Sequence, residues 1–197
     1  MISHALTIIM NEFNKHLVDK YGCVDQQIRL GNPAEGFPSA ANNGSSERNM
    51  LCLAVVNIEE EKTLKNPPNH VNDNTTLRVA NNNPLVHLNF LILLSATHTN
   101  YTDALLALSR AIRFFQSNKV FTQNNVDPVS IMKSGPPNQL DQLESFKLIM
   151  DFYSPTLEEI NHLWGTLGGK QYPFVLYKLR MLDLKFKAVK SQLNLLE

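Results

Sequence analysis

PLVHLNFLILLSATHTNYTDALLALSRAIRFFQSN, residues 84–118, is the stretch that decides the fold. Residues 85–95 are rich in Leu, Ile, Val and Phe, too apolar to present either side to water, and a turn-like THTN follows. A short apolar run bounded by turn residues reads as a strand buried on both faces. From Thr102 the repeat changes. Leu105, Leu108, Ile112 and Phe115 recur at steps of three and four, which predicts a helix with those four on its inner face. Asn100 or Thr102 can cap its start, Asp103 sits where the helix dipole favours an acid, and Asn118 can end it. A buried strand feeding an amphipathic helix is the centre of a layered α/β domain.

Upstream, Ile2, Leu6, Ile9, Phe13 and Leu17 fall at helical spacing, so the chain begins with an amphipathic helix of about five turns that Gly22 can stop. Residues 26–30 suggest a short strand, 31–46 a loop, and the apolar 49–58 a second internal strand that leaves for solvent through Glu59, Glu60, Glu61 and Lys62. Residues 65–83 have no apolar period beyond a short strand near 75–79, and so long a loop in a compact domain is usually functional or disordered. Downstream, 119–140 reads as loop with a brief strand near 129–132, and 146–152 as a strand. A helix then starts either with Ser154 as cap and Pro155 in its first position, or with Thr156 as cap and Glu159 three residues on. Ile160, Leu163, Trp164 and Leu167 form its apolar face and Gly168-Gly169 ends it.

Residues 172–184 alternate, with Val175, Tyr177, Leu179 and Met181 on one face and Lys178 and Arg180 on the other, as in a half-exposed strand near an edge or over an outer surface. The last segment, 185–197, fits a short helix or an arm. The expected architecture is therefore α/β (α+β): a single domain over 1–184, with a mixed β-sheet packed by an N-terminal helix and two further amphipathic helices, followed by a tail.

Composition narrows the function. Formal net charge is zero, from 18 basic and 18 acidic residues with no basic block, which argues against a nucleic-acid binder that neutralises phosphates. Charged residues are 18% of the chain, so polar surface rests on uncharged groups; there are 22 asparagines, 11 of them within residues 40–83. Cys23 and Cys52 fit no metal spacing and read as reduced thiols of a cytoplasmic chain before a structural disulfide. The N-terminus lacks the basic segment of a secretion signal, and no run approaches the ~20 apolar residues of a membrane span. Synthesis in the cytoplasm without membrane insertion is the expectation.

Chemistry is sparse. His4, His16, His70, His87, His98 and His162 form no HExxH pair or Cys/His cluster, and no glycine-rich phosphate loop or nucleophile elbow occurs. His98, at the carboxyl end of the buried strand beside Thr97, Thr99 and Asn100, is the best catalytic candidate. With no nucleophile or acid positioned for it, a hydrogen-bonding role in the turn outweighs that reading. Trp164 is expected in the core with its indole N–H on a carbonyl, and Glu59–Glu61 as a solvated strand end rather than a metal site. Arg110 and Arg113, off the apolar stripe, fit a solvated face or an interface contact. No catalytic residue, cofactor or metal is expected.

Four blocks in order, ISHALTIIMNEFNKHL, RNMLCLAVVNI, NPLVHLNFLILLSATHTNYTDALLALSRAIRFF and LIMDFYSPTLEEINHLWGTLGGKQYPFVLYKLRML, resemble the tube-terminator, or cap, family of extracellular contractile injection systems, phage-tail-like particles of the antifeeding-prophage type. The resemblance spans most of residues 2–182. It departs at the Asn-rich loop 65–83, where a tighter link is expected, and no second domain is expected after Leu182. It implies a phage tail-terminator-like fold and a non-enzymatic part: a ring, hexameric by expectation, at the distal end of the inner tube, which ends tube growth and anchors the last sheath layer. The implied partners are further copies of the chain, the inner-tube protein and the sheath protein, with a paralogous cap subunit as a further candidate. The particle would be extracellular after release, or attached to cytoplasm or membrane.

Ring-to-ring or ring-to-tube contacts are expected on loops 62–83 and 124–138, with Lys62, Lys65, Asn69, His70 and Asp73 as candidates. Lys178, Arg180 and Lys185 on the outer strand face and tail are candidates for sheath or neighbour contacts, and Arg110 and Arg113 for an interface with a partner not further specified. A phage tail-terminator or tail-completion protein is the alternative, and a small enzyme using the His98 turn the remote one.

Overall fold

The computed structural model describes residues 1–23, 27–35, 48–61, 70–73, 78–81, 86–133, 135–143, 145–184 and 191–194. In chain order these form α1 (Ile2–Tyr21), β1 (Ile28–Leu30), a 3-10 turn (Pro33–Glu35), β2 (Leu51–Glu60), β3 (His70–Asp73), β4 (Arg78–Asn81), β5 (Val86–Ala96), α2 (Tyr101–Ser117), β6 (Val120–Thr122), α3 (Pro128–Met132), a second 3-10 turn (Gln139–Asp141), β7 (Lys147–Tyr153), α4 (Leu157–Thr166), β8 (Phe174–Leu184) and β9 (Ser191–Asn194).

The apolar run becomes β5, inside a six-stranded sheet ordered β1-β2-β5-β8-β7-β6. Only the β1–β2 pair is parallel. Being central, β5 has both faces covered. Phe90, Ile92, Leu94 and Ala96 point into the main core with Ile9 and Phe13 of α1 and Leu108 and Phe115 of α2, while Leu93 packs in a second cluster with Trp164 of α4 and Leu176. Each fully buried Leu, Ile or Phe side chain among these contributes about 1.5–3 kcal/mol. Bulges between Val55 and Asn57 of β2 and between Leu88 and Phe90 of β5 locally raise the sheet's twist.

The inner face of α2 differs from the expected stripe. Its buried residues are Ala104, Leu108, Ala111, Phe114 and Phe115, whereas Leu105 is 45% exposed and Ile112 only partly covered. The small Ala104 and Ala111 let the helix lie close on its neighbours, which turns the stripe away from Leu105. Asn100 caps α2 by accepting from the Thr102 N–H, and α1 ends on left-handed Gly22 (φ 65°).

Three other expectations are corrected. β8 is an internal strand between β5 and β7, so of the two placements expected for it the outer surface holds and the edge does not; its alternation arises because Lys178 and Arg180 stand on a part of the sheet that α4 leaves open. Residues 128–132 are helical, because Pro128 occupies the first turn and the Asp127 side chain caps the Val129 N–H. Within 65–83, β3 and β4 pair as antiparallel strands, and β9 of the tail adds beside β4 to make a second, three-stranded sheet.

The β6 edge of the large sheet is closed by a side chain. Asn125 accepts from the Thr122 N–H through Oδ1 (2.7 Å) and donates Nδ2 to the Val120 carbonyl (2.7 Å). Another strand would need those two outward backbone groups.

Candidate partner-binding surfaces

Beyond α4 the sheet carries two ion pairs. Lys178 Nζ lies 3.7 Å from Glu59 Oε2, across β5, and Arg180 Nε lies 2.9 Å from Asp151 Oδ2 on β7. The register puts Asp151 opposite Lys178 and Ile149 opposite Arg180, so the four charges share one face. Both pairs are partly solvated and worth about 0–1 kcal/mol each.

Next to them runs a cleft of about 340 Å³ between α4 and the sheet, with Val56, Leu91 and Leu176 as its floor and Leu163 on its wall. Its rim is organised by the α4 capping box. Thr156 accepts from the Glu159 N–H, and the Glu159 carboxylate accepts from the Thr156 N–H (2.8 Å) and the Tyr153 hydroxyl (3.0 Å). The Thr156 N–H, then the Tyr153 hydroxyl, hold the Glu159 carboxyl below its ordinary pKa, while that carboxylate pushes the Tyr153 phenol up. Of the two caps the sequence offered, Thr156 is the one used.

A third surface is α2 itself. Tyr101, Leu105 and Leu106 are exposed along it, and His98, Asn49, Asp103, Leu106 and Arg110 line a cleft of about 440 Å³ at its start. Arg110 folds back, its guanidinium 4.5 Å over the Tyr21 ring and its Nη1 3.8 Å from Cys23 Sγ, while Arg113 is exposed. His98 is half-buried, and burial lowers its pKa although Asp103 opposes this. Its Nδ1 has no hydrogen-bond partner among the described residues, so the expected hydrogen bond in the turn is not seen at that nitrogen. Instead Asn49, left-handed at φ 66°, accepts from the Thr99 N–H at 3.0 Å and holds the turn.

Trp164 is buried as expected, but its indole N–H finds no partner among the described residues. Aromatic contacts with Tyr172 and Phe174 surround it instead. The Tyr177 hydroxyl is buried too, and burial pushes its pKa up to about 12. Among the described residues no group of three His, Cys, Asp or Glu side chains is placed to hold a metal, and no helix is long and apolar enough to cross a membrane.

The profile of the Pvc16 N-terminal domain matches residues 4–195, nearly the whole chain. The chain belongs to the Pvc16 N-terminal domain family. Its structure is similar to a sheath/tube terminator of an extracellular contractile injection system, PVC, in the extended state, with TM-score 0.59, 13% identity, and coverage of 96% of this chain and 58% of that one. It also resembles the tube-terminating cap of the anti-feeding prophage, with TM-score 0.47, 14% identity, and coverage of 93% and 58%. The Pvc16 N-terminal domain chain thus spans about 58% of the length of these structures. No curated protein matches it. The family is the one the four sequence blocks resemble, and the mixed-sheet α/β domain is the fold they imply.

Of the interface candidates, Lys178 and Arg180 are brought together on one sheet face, and Arg110 and Arg113 lie on α2. His70 and Asp73 are the first and last residues of β3. Lys62, Lys65, Asn69 and Lys185 lie outside the described residues. The cleft under α4 and the exposed Tyr101, Leu105 and Leu106 were missed by sequence reasoning. The adjacent pair Leu105-Leu106 was a usable signal, because two consecutive helical residues cannot both sit at the centre of one stripe.

Proposed function

We propose that this chain is a structural, non-enzymatic tube terminator of a contractile injection system. It forms a homo-oligomeric ring, sixfold, at the distal end of the inner tube, ends tube growth there and anchors the last sheath layer. The observation that carries this is the shared fold over 96% of the chain with a protein described as a sheath/tube terminator, joined to family membership over residues 4–195. Residues 1–184 form the body and 185–197 a tail whose strand β9 pairs with β4. Segments 62–83, with β3 and β4, and 124–138, with α3, meet the tube or the neighbouring protomer, and the Lys178/Arg180 face, with the tail, meets sheath or neighbour.

The test is particle assembly with and without the chain, tube length being read by electron microscopy. Overlong tubes of scattered length are expected in its absence, and tubes of wild-type length would overturn the proposal. The double variant Lys178→Gln/Arg180→Gln, which removes both ion pairs without setting new acids beside Glu59 and Asp151, should leave folding intact, since solvated ion pairs contribute about 0–1 kcal/mol each, yet lose the terminal sheath layer.

A further inference from the structure

The small sheet repeats the order of the body's central strands. β2, β5 and β8 lie side by side in the large sheet; β3 follows β2 along the chain, β4 precedes β5 and β9 follows β8, and these three again lie in the order β3-β4-β9. All three connections leave the large sheet at one end, where Glu60 pairs with Leu88 and Val86 with Leu184. β3 is antiparallel to β4 and β4 to β9, so β3 and β9 run in the same direction on opposite sides of the small sheet.

Each of these two outer strands has one backbone edge with no strand beside it among the described residues. Its N–H and C=O groups are a template for a further strand. Side chains that commonly blunt such an edge are missing: none of His70–Asp73, Arg78–Asn81 and Ser191–Asn194 contains a lysine or a proline. In the large sheet, by contrast, Asn125 closes β6. Four-residue strands are near the short end of the usual range, so a sheet built from them gains much from added strands.

The pair of edges points to the occupant. A partner of another kind bound on one side leaves the other side open, whereas a second copy brings its β3 to β9 and further copies satisfy every edge. Such a contact joins two different edges, so it is head-to-tail, and repeated at a closing rotation it makes a ring. Turning a copy about an axis along the strands preserves their direction. β9 and the next copy's β3 therefore meet as parallel neighbours, as β1 and β2 do in the body.

We propose that the small sheet is the joint between copies of this chain: β9 of one copy takes β3 of the next, and one sheet runs on from subunit to subunit. This rests on the ring reading above and names the contact that builds the ring.

The variants Asn72→Cys and Leu193→Cys test it, purified separately and mixed at high concentration, and in parallel co-expressed so that both enter the particles. With strands about 4.8 Å apart, a thiol crosslinker reaching about 8 Å spans β9 to the next copy's β3 but not the three spacings between like strands of neighbouring copies. The main product should be a heterodimer linked through positions 72 and 193, with homodimers no more abundant than the wild-type background from Cys23 and Cys52. Peptide mass mapping assigns the link. Abundant homodimers of either variant alone would mean that like edges meet, and would overturn the proposal, as would absence of the 72–193 link from both preparations. Circular dichroism checks folding, and Gln192→Cys replaces Leu193→Cys should the latter not fold. A 72–193 link in the purified mixture alongside normal tube length without the chain would keep the joint and remove only the terminator reading. Overlong tubes without the chain, but no link, would remove only the joint.

Discussion

The inner face of α2 can be tested with two leucines three positions apart. Leu108 is 5% exposed in the core between α2, α1 and the sheet; Leu105 is 45% exposed. Leu108→Ala removes buried methyl groups and leaves a cavity in packing that includes Phe13, Phe114 and Phe115, a loss of about 2–5 kcal/mol. Leu105→Ala gives up only part of a side chain already half in water and gains a better helix former, so it should stay within about 0.5 kcal/mol. In a domain of this size 1 kcal/mol moves Tm by roughly 2–4 °C. Leu108→Ala should therefore lower Tm by about 4–20 °C and Leu105→Ala by about 2 °C at most. Thermal unfolding followed by circular dichroism, with urea midpoints as a check, separates the two. Equal losses, or a larger loss at Leu105, would refute the assignment and return α2 to the stripe drawn from periodicity alone.

Thr156→Ala removes half of the α4 capping box and should cost about 1 kcal/mol, read as a lower urea midpoint at unchanged m-value. Asn125→Ala frees the Thr122 N–H and Val120 carbonyl, so light scattering of the concentrated variant should show association beyond that of the wild type at the same concentration; identical mass distributions would count against edge protection. Burial, joined for His16 by the Lys20 charge, lowers the pKa of His16 and His98 below the ordinary 6.5. The unfolded chain then binds protons more readily. The stability these two groups confer is complete above pH 6.5 and drains away as pH falls through it, so Tm should drop between pH 8 and pH 5.5 rather than stay flat. Cys52 is buried beside Gly31, and burial pushes its thiol up to about 11; alkylation at pH 8 should spare it until the chain is unfolded.

How much of this was legible depended on whether an element's own residues decide its state. The run at β5, the helical spacing in α1 and the Thr156/Glu159 box are local signals, and all three became the predicted elements. The alternation in β8 is also local, but its place in the sheet is set by β5 and β7, which no period within 174–184 can report. The short helix at Pro128–Met132 was hidden by reading Val129 and Ile131 as strand-like while passing over the Asp127-Pro128 start signal. At the candidate surfaces, the types of Lys178 and Arg180 suggested a charged face, but their partners Glu59 and Asp151 come from two other strands. The burial of His4 was illegible for the same reason, since the Leu143 N–H and the Ile131 carbonyl that meet its ring nitrogens lie over a hundred positions away.

The position of β5 also shapes how the chain is made. Its first partner, β2, precedes it, but the other, β8, joins it at Ser95 and Phe174 only after α2, α3, β6, β7 and α4 have been synthesised. On a ribosome adding residues at roughly 5–20 per second, the most apolar strand waits for several seconds with one ladder of backbone groups unmated. During that interval a second nascent chain offers the same complementary strand. The protein should therefore give more soluble product when slow synthesis on crowded polysomes is avoided, or when a holdase shields that edge, than its folded stability alone suggests.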